Sequence, residues 1–289
     1  MTGAPTNAGP PQRIRVGDVA LNVRVTGEGE PVLLLHGFPD SLTVWREVAP
    51  QLVAAGYRVI AFDQRGFGES DAPAGVGNYR IEAIVADIPR LLAALGIAGP
   101  VHVMGHDWGA VIAWCLALAH PGRVRDLVAV SVGHPLAYGR AGFEQKIGKG
   151  LYTLGFQLRG LAEAWFLRNQ GRGLRRWLAA HHPDPDEVVR DMSRPGRLTA
   201  GMNWYRANLT SILFGTWPRC RVPALGMWSS GDRYLTEAQM QASGKLVDAA
   251  WEYRRIDDCG HWIPLQRPDA VASVALDWFG RHPLATAVG

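Results

Sequence analysis

Gly105, Asp107 and Gly109 stand at alternate positions in Val101-His102-Val103-Met104-Gly105-His106-Asp107-Trp108-Gly109-Ala110, between an apolar run and an apolar helical segment. Two glycines flanking one residue on a strand-to-helix turn let the backbone fold sharply and push the central side chain out at a sheet edge. The N–H groups that open the helix carry partial positive charge and face the same spot. Serine is the usual occupant of such a turn, and this chain contains no Gly-x-Ser-x-Gly. The change of residue changes the chemistry. A serine needs a base to take its proton before it attacks a carbonyl, whereas an aspartate is already ionised at neutral pH. A carboxylate is a competent nucleophile toward a strained or activated saturated carbon, which gives an alkyl ester of the enzyme. Asp is also favoured as a helix N-cap, but a cap accounts for neither the paired glycines nor the partners below.

Hydrolysis of such an ester needs a base for water, and the base needs an acid to hold it. Asp258-Cys259-Gly260-His261-Trp262 follows the last expected strand, which puts His261 in a loop at the same sheet edge. Ser230-Gly231-Asp232 follows the preceding strand and puts Asp232 in the adjacent loop. Nucleophile, acid and histidine then occur in the chain order used by triads on strand-to-helix elbows. His102 within a strand, His120 before Pro121 and His282 near the tail are blander histidines, and Asp257 and Asp258 lie too close to His261 in one loop. His36-Gly37-Phe38-Pro39-Asp40 follows the first apolar strand. The N–H groups of Phe38 and Trp108 are the expected oxyanion hole, and His36 braces the loop from behind.

The elements that must position these residues follow a rhythm. Arg13 to Val16 and Val19 to Val25 flank Gly17-Asp18 and read as a hairpin. Short apolar strands are expected at Val32–Leu35, Tyr57–Phe62, Val101–Met104, Leu127–Val132, Ala224–Ser229 and Trp251–Ile256. Helices are expected at Val44–Ala55 (with Ser41 and Thr43 as caps), Arg80–Leu95 with a kink at Pro89, Ala110–Ala119, Thr236–Leu246 and Ala270–Phe279. Alternation at this spacing means an α/β fold with a mostly parallel sheet flanked by helices. The rhythm breaks at Gly133. The expected division is a disordered leader over 1–12, an α/β core over 13–134 and 218–289, and a helical cap over 135–217.

Together these segments resemble the α/β-hydrolase fold family, and within it the epoxide hydrolases. The resemblance runs from Val16 to Pro283. It rests on His36-Gly37-Phe38-Pro39-Asp40-Ser41, Asp63-Gln64-Arg65-Gly66-Phe67-Gly68-Glu69-Ser70, Gly105-His106-Asp107-Trp108-Gly109, Met202-Asn203-Trp204-Tyr205-Arg206 and Gly260-His261-Trp262. It implies hydrolysis of an apolar epoxide to a vicinal diol, with Asp107 as nucleophile, Asp232 and His261 as the charge pair, and Tyr205 as proton donor to the oxirane oxygen. A phenol suits that task, being neutral at working pH and amphipathic. The family's second tyrosine directly precedes a Phe-Gln pair, but here Gly155 precedes Phe156-Gln157, and Tyr152 lies three residues earlier. Tyr152, an indole N–H from Trp165 or Trp204, or Tyr205 alone are the alternatives. Phe38, Trp108, Phe156, Trp165 and Trp204 are the expected pocket walls.

Rival chemistries leave weaker marks. A haloalkane or haloacid dehalogenase shares the Asp nucleophile; Trp108 suits the haloalkane enzymes, but Phe38 stands where they resemble an Asn or similar halide donor, and Trp108 stands where the haloacid enzymes place an Arg for the carboxylate. A non-catalytic binding module on the same fold would leave the triad vestigial. His181-His182-Pro183-Asp184-Pro185-Asp186-Glu187 opens a helix more simply than it binds a metal. Arg168, Arg172, Arg175 and Arg176 read as a solvated face rather than a phosphate or RNA site. No nucleotide-binding glycine loop is present, so neither cofactor nor metal is expected.

The 289 residues, 47% apolar and 19% charged, suffice for a large buried core and exclude a disordered chain. Thirty Lys and Arg against 26 Asp and Glu give a net charge of +4, too little by itself to imply nucleic acid. Three scattered cysteines exclude a disulfide scaffold and suit a reducing compartment. No apolar run reaches the length of a membrane span, and the first dozen residues lack a signal peptide's apolar stretch. The expectation is a cytoplasmic protein with a small hydrophobic epoxide as partner and no nucleic acid or membrane, a homodimer being left open.

Overall fold

A computed structural model describes residues 9–178 and 182–284. Eight strands form one sheet in the order β1-β2-β4-β3-β5-β6-β7-β8. They are β1 (Gln12–Val16), β2 (Val19–Thr26), β3 (Glu30–Leu35), β4 (Tyr57–Phe62), β5 (Val101–His106), β6 (Val124–Val130), β7 (Ala224–Ser229) and β8 (Trp251–Ile256). The β1–β2 and β2–β4 pairs are antiparallel, and every other pair is parallel. Each side chain of β5 and β7 is buried, as expected of strands covered on both faces. Residues 1–8 of the expected leader lie outside the described residues, and Gln12, also assigned to the leader, instead pairs with Val23 in β1.

Helices fill the crossovers. The segment expected as one helix over Val44–Ala55 divides into a 3-10 turn at Leu42–Trp45 and α1 (Ala49–Ala54). Ser41 caps the turn, and Pro50 begins a new helix because it has no N–H to continue the old one. Then follow α2 (Ile81–Ala94), which contains Pro89, and α3 (Trp108–Ala119). Nearly every residue of α3 is buried, so it lies inside the molecule with no solvent stripe.

Between β6 and β7 the chain forms α4 (Pro135–Gly139), α5 (Tyr152–Gly155), α6 (Leu161–Leu178), α7 (Pro185–Met192) and α8 (Arg197–Phe214). Helix α6 is interrupted at Arg168–Gly171, where Asn169, Gln170 and Gly171 take positive φ. Helices α9 (Glu237–Ser243), α10 (Ile263–Gln266) and α11 (Pro268–Gly280) complete the fold. Helix α8 is tied to the sheet layer by its polar side chains: the Trp204 indole donates to the Arg65 carbonyl at 3.2 Å, and Asn208 accepts from the Ile81 N–H at 2.9 Å. Among the described residues, no helix is long and apolar enough to cross a membrane.

Register decides where the loops emerge. Leu35 of β3 pairs with Gly105 of β5, and His106 with Val130 of β6. The loops opening at His36 and Asp107 therefore leave the same sheet edge side by side. The chain passes from β3 outward to β4 and then returns across β3 to β5, and ligands of open parallel sheets bind at such a reversal.

Candidate active site

Asp107 joins β5 to α3 with φ 55° and ψ −123°, a conformation that an L-residue rarely adopts. Strain of this kind costs on the order of 1–3 kcal/mol and persists only where the surroundings enforce it. The enforcement is close packing. A Cβ on Gly109 would lie 2.0 Å from the Leu35 carbonyl oxygen, and one on Gly37 would lie 2.4 Å from Asp107 Oδ1. Glycine at both positions is what lets β3, its loop and the elbow meet.

The Asp107 side chain makes no capping bond to α3. Its Oδ1 accepts the Phe38 N–H at 2.8 Å, and its Oδ2 lies 3.5 Å from His261 Nε2. The plain N-cap reading thus fails. His261 Nδ1 is 2.9 Å from Asp232 Oδ2, and Asp232 Oδ1 accepts the N–H groups of Tyr234 (2.8 Å) and Leu235 (3.0 Å). The His261 carbonyl accepts from His106 Nε2 at 2.9 Å. His36 Nε2 accepts the Gln64 N–H at 2.9 Å, which leaves Nδ1–H to donate to the Gly37 carbonyl. That histidine braces the Phe38 loop from behind.

Burial alone would lower the His261 pKa. The negative charge of Asp232 and the hydrogen bonds to Asp107 and Asp232 outweigh it and raise the value from 6.5 to about 10. The resting imidazole is therefore protonated between two carboxylates. Burial pushes the Asp232 carboxyl up, but the His261 charge and its hydrogen bonds bring it below the usual value. A pKa raised in the folded state contributes stability that is fully present below 6.5 and is lost as pH rises through about 10. The melting temperature is expected to fall across that window, and to fall less in Asp107→Asn, whose His261 has one charged partner fewer. Calorimetry giving equal slopes for both proteins would exclude the Asp107 contribution.

Two phenols close the site from the inserted helices. Tyr205 sits on α8 and Tyr152 opens α5, with their ring centroids 6.1 Å apart. The Trp108 ring packs edge-on against Tyr205, with ring centroids 5.1 Å apart. Burial, reinforced by Tyr138 and Asp107 at Tyr152 and by Tyr152 and Asp107 at Tyr205, holds both tyrosines well above their usual pKa. Both stay protonated across the working range and can donate.

Asp107, Tyr152 and Tyr205 stand between two cavities. One is mostly apolar and includes Trp108, Val111, Tyr138, Leu209 and Ile212. The other is aromatic, with Phe38, Trp177, Tyr234, His261 and Trp262. Of the expected walls, Phe38 and Trp108 line these cavities, while three do not. Phe156 lies behind Tyr205, their centroids 4.9 Å apart. Trp204 is buried with its indole N–H spent on Arg65. Trp165 is 46% exposed on the outer side of α6. Neither tryptophan can be the second donor. Sequence reasoning overlooked Tyr234 and Tyr138, and it counted Trp177 among cap tryptophans that mainly pack, one or two of them walling the pocket. The nearest signal was position: Tyr234 follows Asp232 by two residues, and Tyr138 opens the insertion where the strand rhythm breaks. His181 lies outside the described residues, and His182 is bound to Asp40 at 2.9 Å.

Residues 30–268 match the alpha/beta hydrolase fold family. The chain is similar to the AB hydrolase superfamily protein YfhM of Bacillus subtilis, at 31% identity over 92% of this chain and 96% of that one. It is similar to epoxide hydrolase A of Mycobacterium tuberculosis, at 31% identity over 93% of this chain and 98% of the relative. The crystal structure of epoxide hydrolase A from Mycobacterium thermoresistibile superposes with a TM-score of 0.82 at 28% identity, covering 96% of this chain and all of that one. With a carboxylate at the elbow and kinship along nearly its whole length, the chain belongs to the α/β-hydrolase fold family and, within it, to the epoxide-hydrolase branch.

Proposed function

We propose that the protein hydrolyses apolar epoxides to vicinal diols in two steps, with residues 135–217 as a cap over the core. The observation that carries this reading is that the Asp107 carboxylate and the phenols of Tyr152 and Tyr205 line the same two cavities. A nucleophile and an acid bordering one space are what opening a strained three-membered ether requires. In the first step Asp107 Oδ2 bonds to an oxirane carbon while the C–O bond to the ring oxygen breaks. The Oδ1 that accepts the Phe38 N–H becomes the ester carbonyl oxygen. Tyr205 and Tyr152 hydrogen-bond the departing alkoxide, which ends as a hydroxyl.

The second step needs a neutral His261. Esterification removes the Asp107 charge and its hydrogen bond, two of the causes that raise the imidazole pKa. The proton released by His261 balances the one taken up by the alkoxide, so the base becomes available as the nucleophile is consumed. Neutral His261 then deprotonates water, and the hydroxide attacks the Asp107 carbonyl carbon. The oxyanion on Oδ1 meets the N–H groups of Phe38 and Trp108. Collapse expels the diol and restores the imidazolium and the carboxylate. All three cysteines, Cys115, Cys220 and Cys259, are free and buried, which supports the reducing cytoplasm as the compartment.

A panel of chiral epoxides and haloalkanes scored for diol and halide tests the reading. Diol is the expected product; halide release without diol would transfer the site to dehalogenation. Tyr205→Phe and Tyr152→Phe are each expected to lower kcat by roughly ten-fold or more, and the double variant by on the order of 10³. A double variant as active as the wild type would remove the phenols from the reaction.

A further inference from the structure

Seven large apolar side chains are exposed among the described residues, and all seven lie between β6 and β7. Five of them, Leu151, Leu154, Leu158, Leu161 and Trp165, follow one another at intervals of three and four residues. Backbone bonds close separate turns in this stretch: the Thr153 N–H donates to Gly150, Leu158 to Gly155 and Ala162 to Leu158, at 3.0, 3.1 and 2.9 Å. Leu161 and Trp165, four residues apart on α6, share one side of that helix, and Leu151, Leu154 and Leu158 precede them across the turn at Gly160, which takes positive φ. Their neighbours are already engaged, since Tyr152 and Thr153 border the catalytic cavity and Phe156, Ala162 and Phe166 are buried. The four leucines are each more than half exposed among the described residues.

Charge says what covers it. Residues 140–178 carry eight Lys and Arg against two Glu, a larger excess than the +4 of the whole chain. Arg159, Arg168, Arg172 and Arg176 are exposed, and no carboxylate of the described residues pairs with them. Arg168 lies 5.8 Å from the centre of the Trp165 ring. Exposed leucines, an exposed tryptophan with Arg168 over its ring, and exposed arginines in the same segment match the chemistry a lipid leaflet offers from acyl chains to headgroup phosphates. A second copy docked through the same face would oppose arginine to arginine. A nucleic acid would satisfy the arginines and leave the leucines in water.

We propose that this outer face of residues 151–176 docks onto an anionic bilayer surface. The expected lack of a membrane partner rested on spanning length, and a face lying on a surface needs no span. Given the epoxide reading above, on which this consequence alone rests, docking lets the site draw apolar substrates from the lipid in which they dissolve.

The test uses the full chain without substrate, in cosedimentation with vesicles of phosphatidylcholine alone or mixed equally with phosphatidylglycerol. Binding is expected only to the anionic vesicles, and is expected to collapse at about 1 M salt, where the screening length falls to about 3 Å. Arg168→Gln, Arg172→Gln and Arg176→Gln are each expected to weaken partitioning about five-fold. The double variant Leu158→Asp/Leu161→Asp, altered at exposed positions and checked for an unchanged melting curve, should not bind. Three results would overturn the proposal: no binding to anionic vesicles at low salt, binding retained by the double variant, or a solution dimer in light scattering that the double variant dissolves. Because binding is scored without turnover, its failure leaves the hydrolase reading standing, and loss of diol formation leaves the surface standing.

Discussion

Asp107→Asn lowers diol formation by a factor on the order of 10⁴ to 10⁶ while the protein stays folded; that is the expected result, on the scale at which removal of a covalent nucleophile is felt. The amide has the size and shape of the carboxylate. Its oxygen still accepts the Phe38 N–H that Oδ1 accepts at 2.8 Å, and asparagine tolerates the positive φ of 55° at the elbow. What disappears is the negative oxygen that attacks carbon, so the loss belongs in kcat. The same chemistry predicts where oxygen goes. One turnover with excess wild-type enzyme in heavy-oxygen water should leave the label in the Asp107 side chain, because water attacks the ester at Cγ. Label found only in the first-turnover diol would mean that water attacks the epoxide directly, and Asp107 would then be a base.

The sheet and the meeting of Asp232 with His261 were legible because their signals are local. Val32–Leu35, Tyr57–Phe62 and Ala224–Ser229 are short apolar runs that cannot be amphipathic helices, and the structure has strands at each of them. Asp232 and His261 could be paired in advance because β7 and β8 are neighbours in register, so residues just beyond their ends share one edge. The insertion offered no such frame. Trp165 and Trp177 lie in one helical segment, but the break at Arg168–Gly171 resets the helical phase between them. Trp165, expected as a pocket wall, faces solvent, and Trp177 faces the site. Asn169-Gln170-Gly171 held a trace of that break, since Asn and Gly are the residues that most readily take positive φ. Trp204 was misjudged for a different reason. It adjoins Tyr205 in sequence, but successive helical residues point about 100° apart, so one reaches the cavity and the other reaches Arg65.

His261→Gln should separate the two halves of the reaction. Glutamine can fill much of the imidazole's space but cannot accept a proton from water at neutral pH. Asp107 keeps its Phe38 contact and Tyr205 and Tyr152 keep their positions on α8 and α5, so alkylation can proceed. Hydrolysis cannot. Multiple turnover is expected to fall by on the order of 10⁴, with a burst of epoxide consumption equal to the enzyme present and no matching release of diol. Intact-mass spectrometry should show the protein heavier by one epoxide, and peptide mapping should put the increment on the segment holding Asp107. The Tyr205→Phe change added to this variant should slow the burst without abolishing the adduct, because the phenol acts before the ester forms. A His261→Gln protein that consumes no epoxide and never gains mass would show that the imidazolium is needed for ring opening itself. The proton it carries at a pKa of about 10 would then be the acid of the first step, and the phenols would only orient the ring.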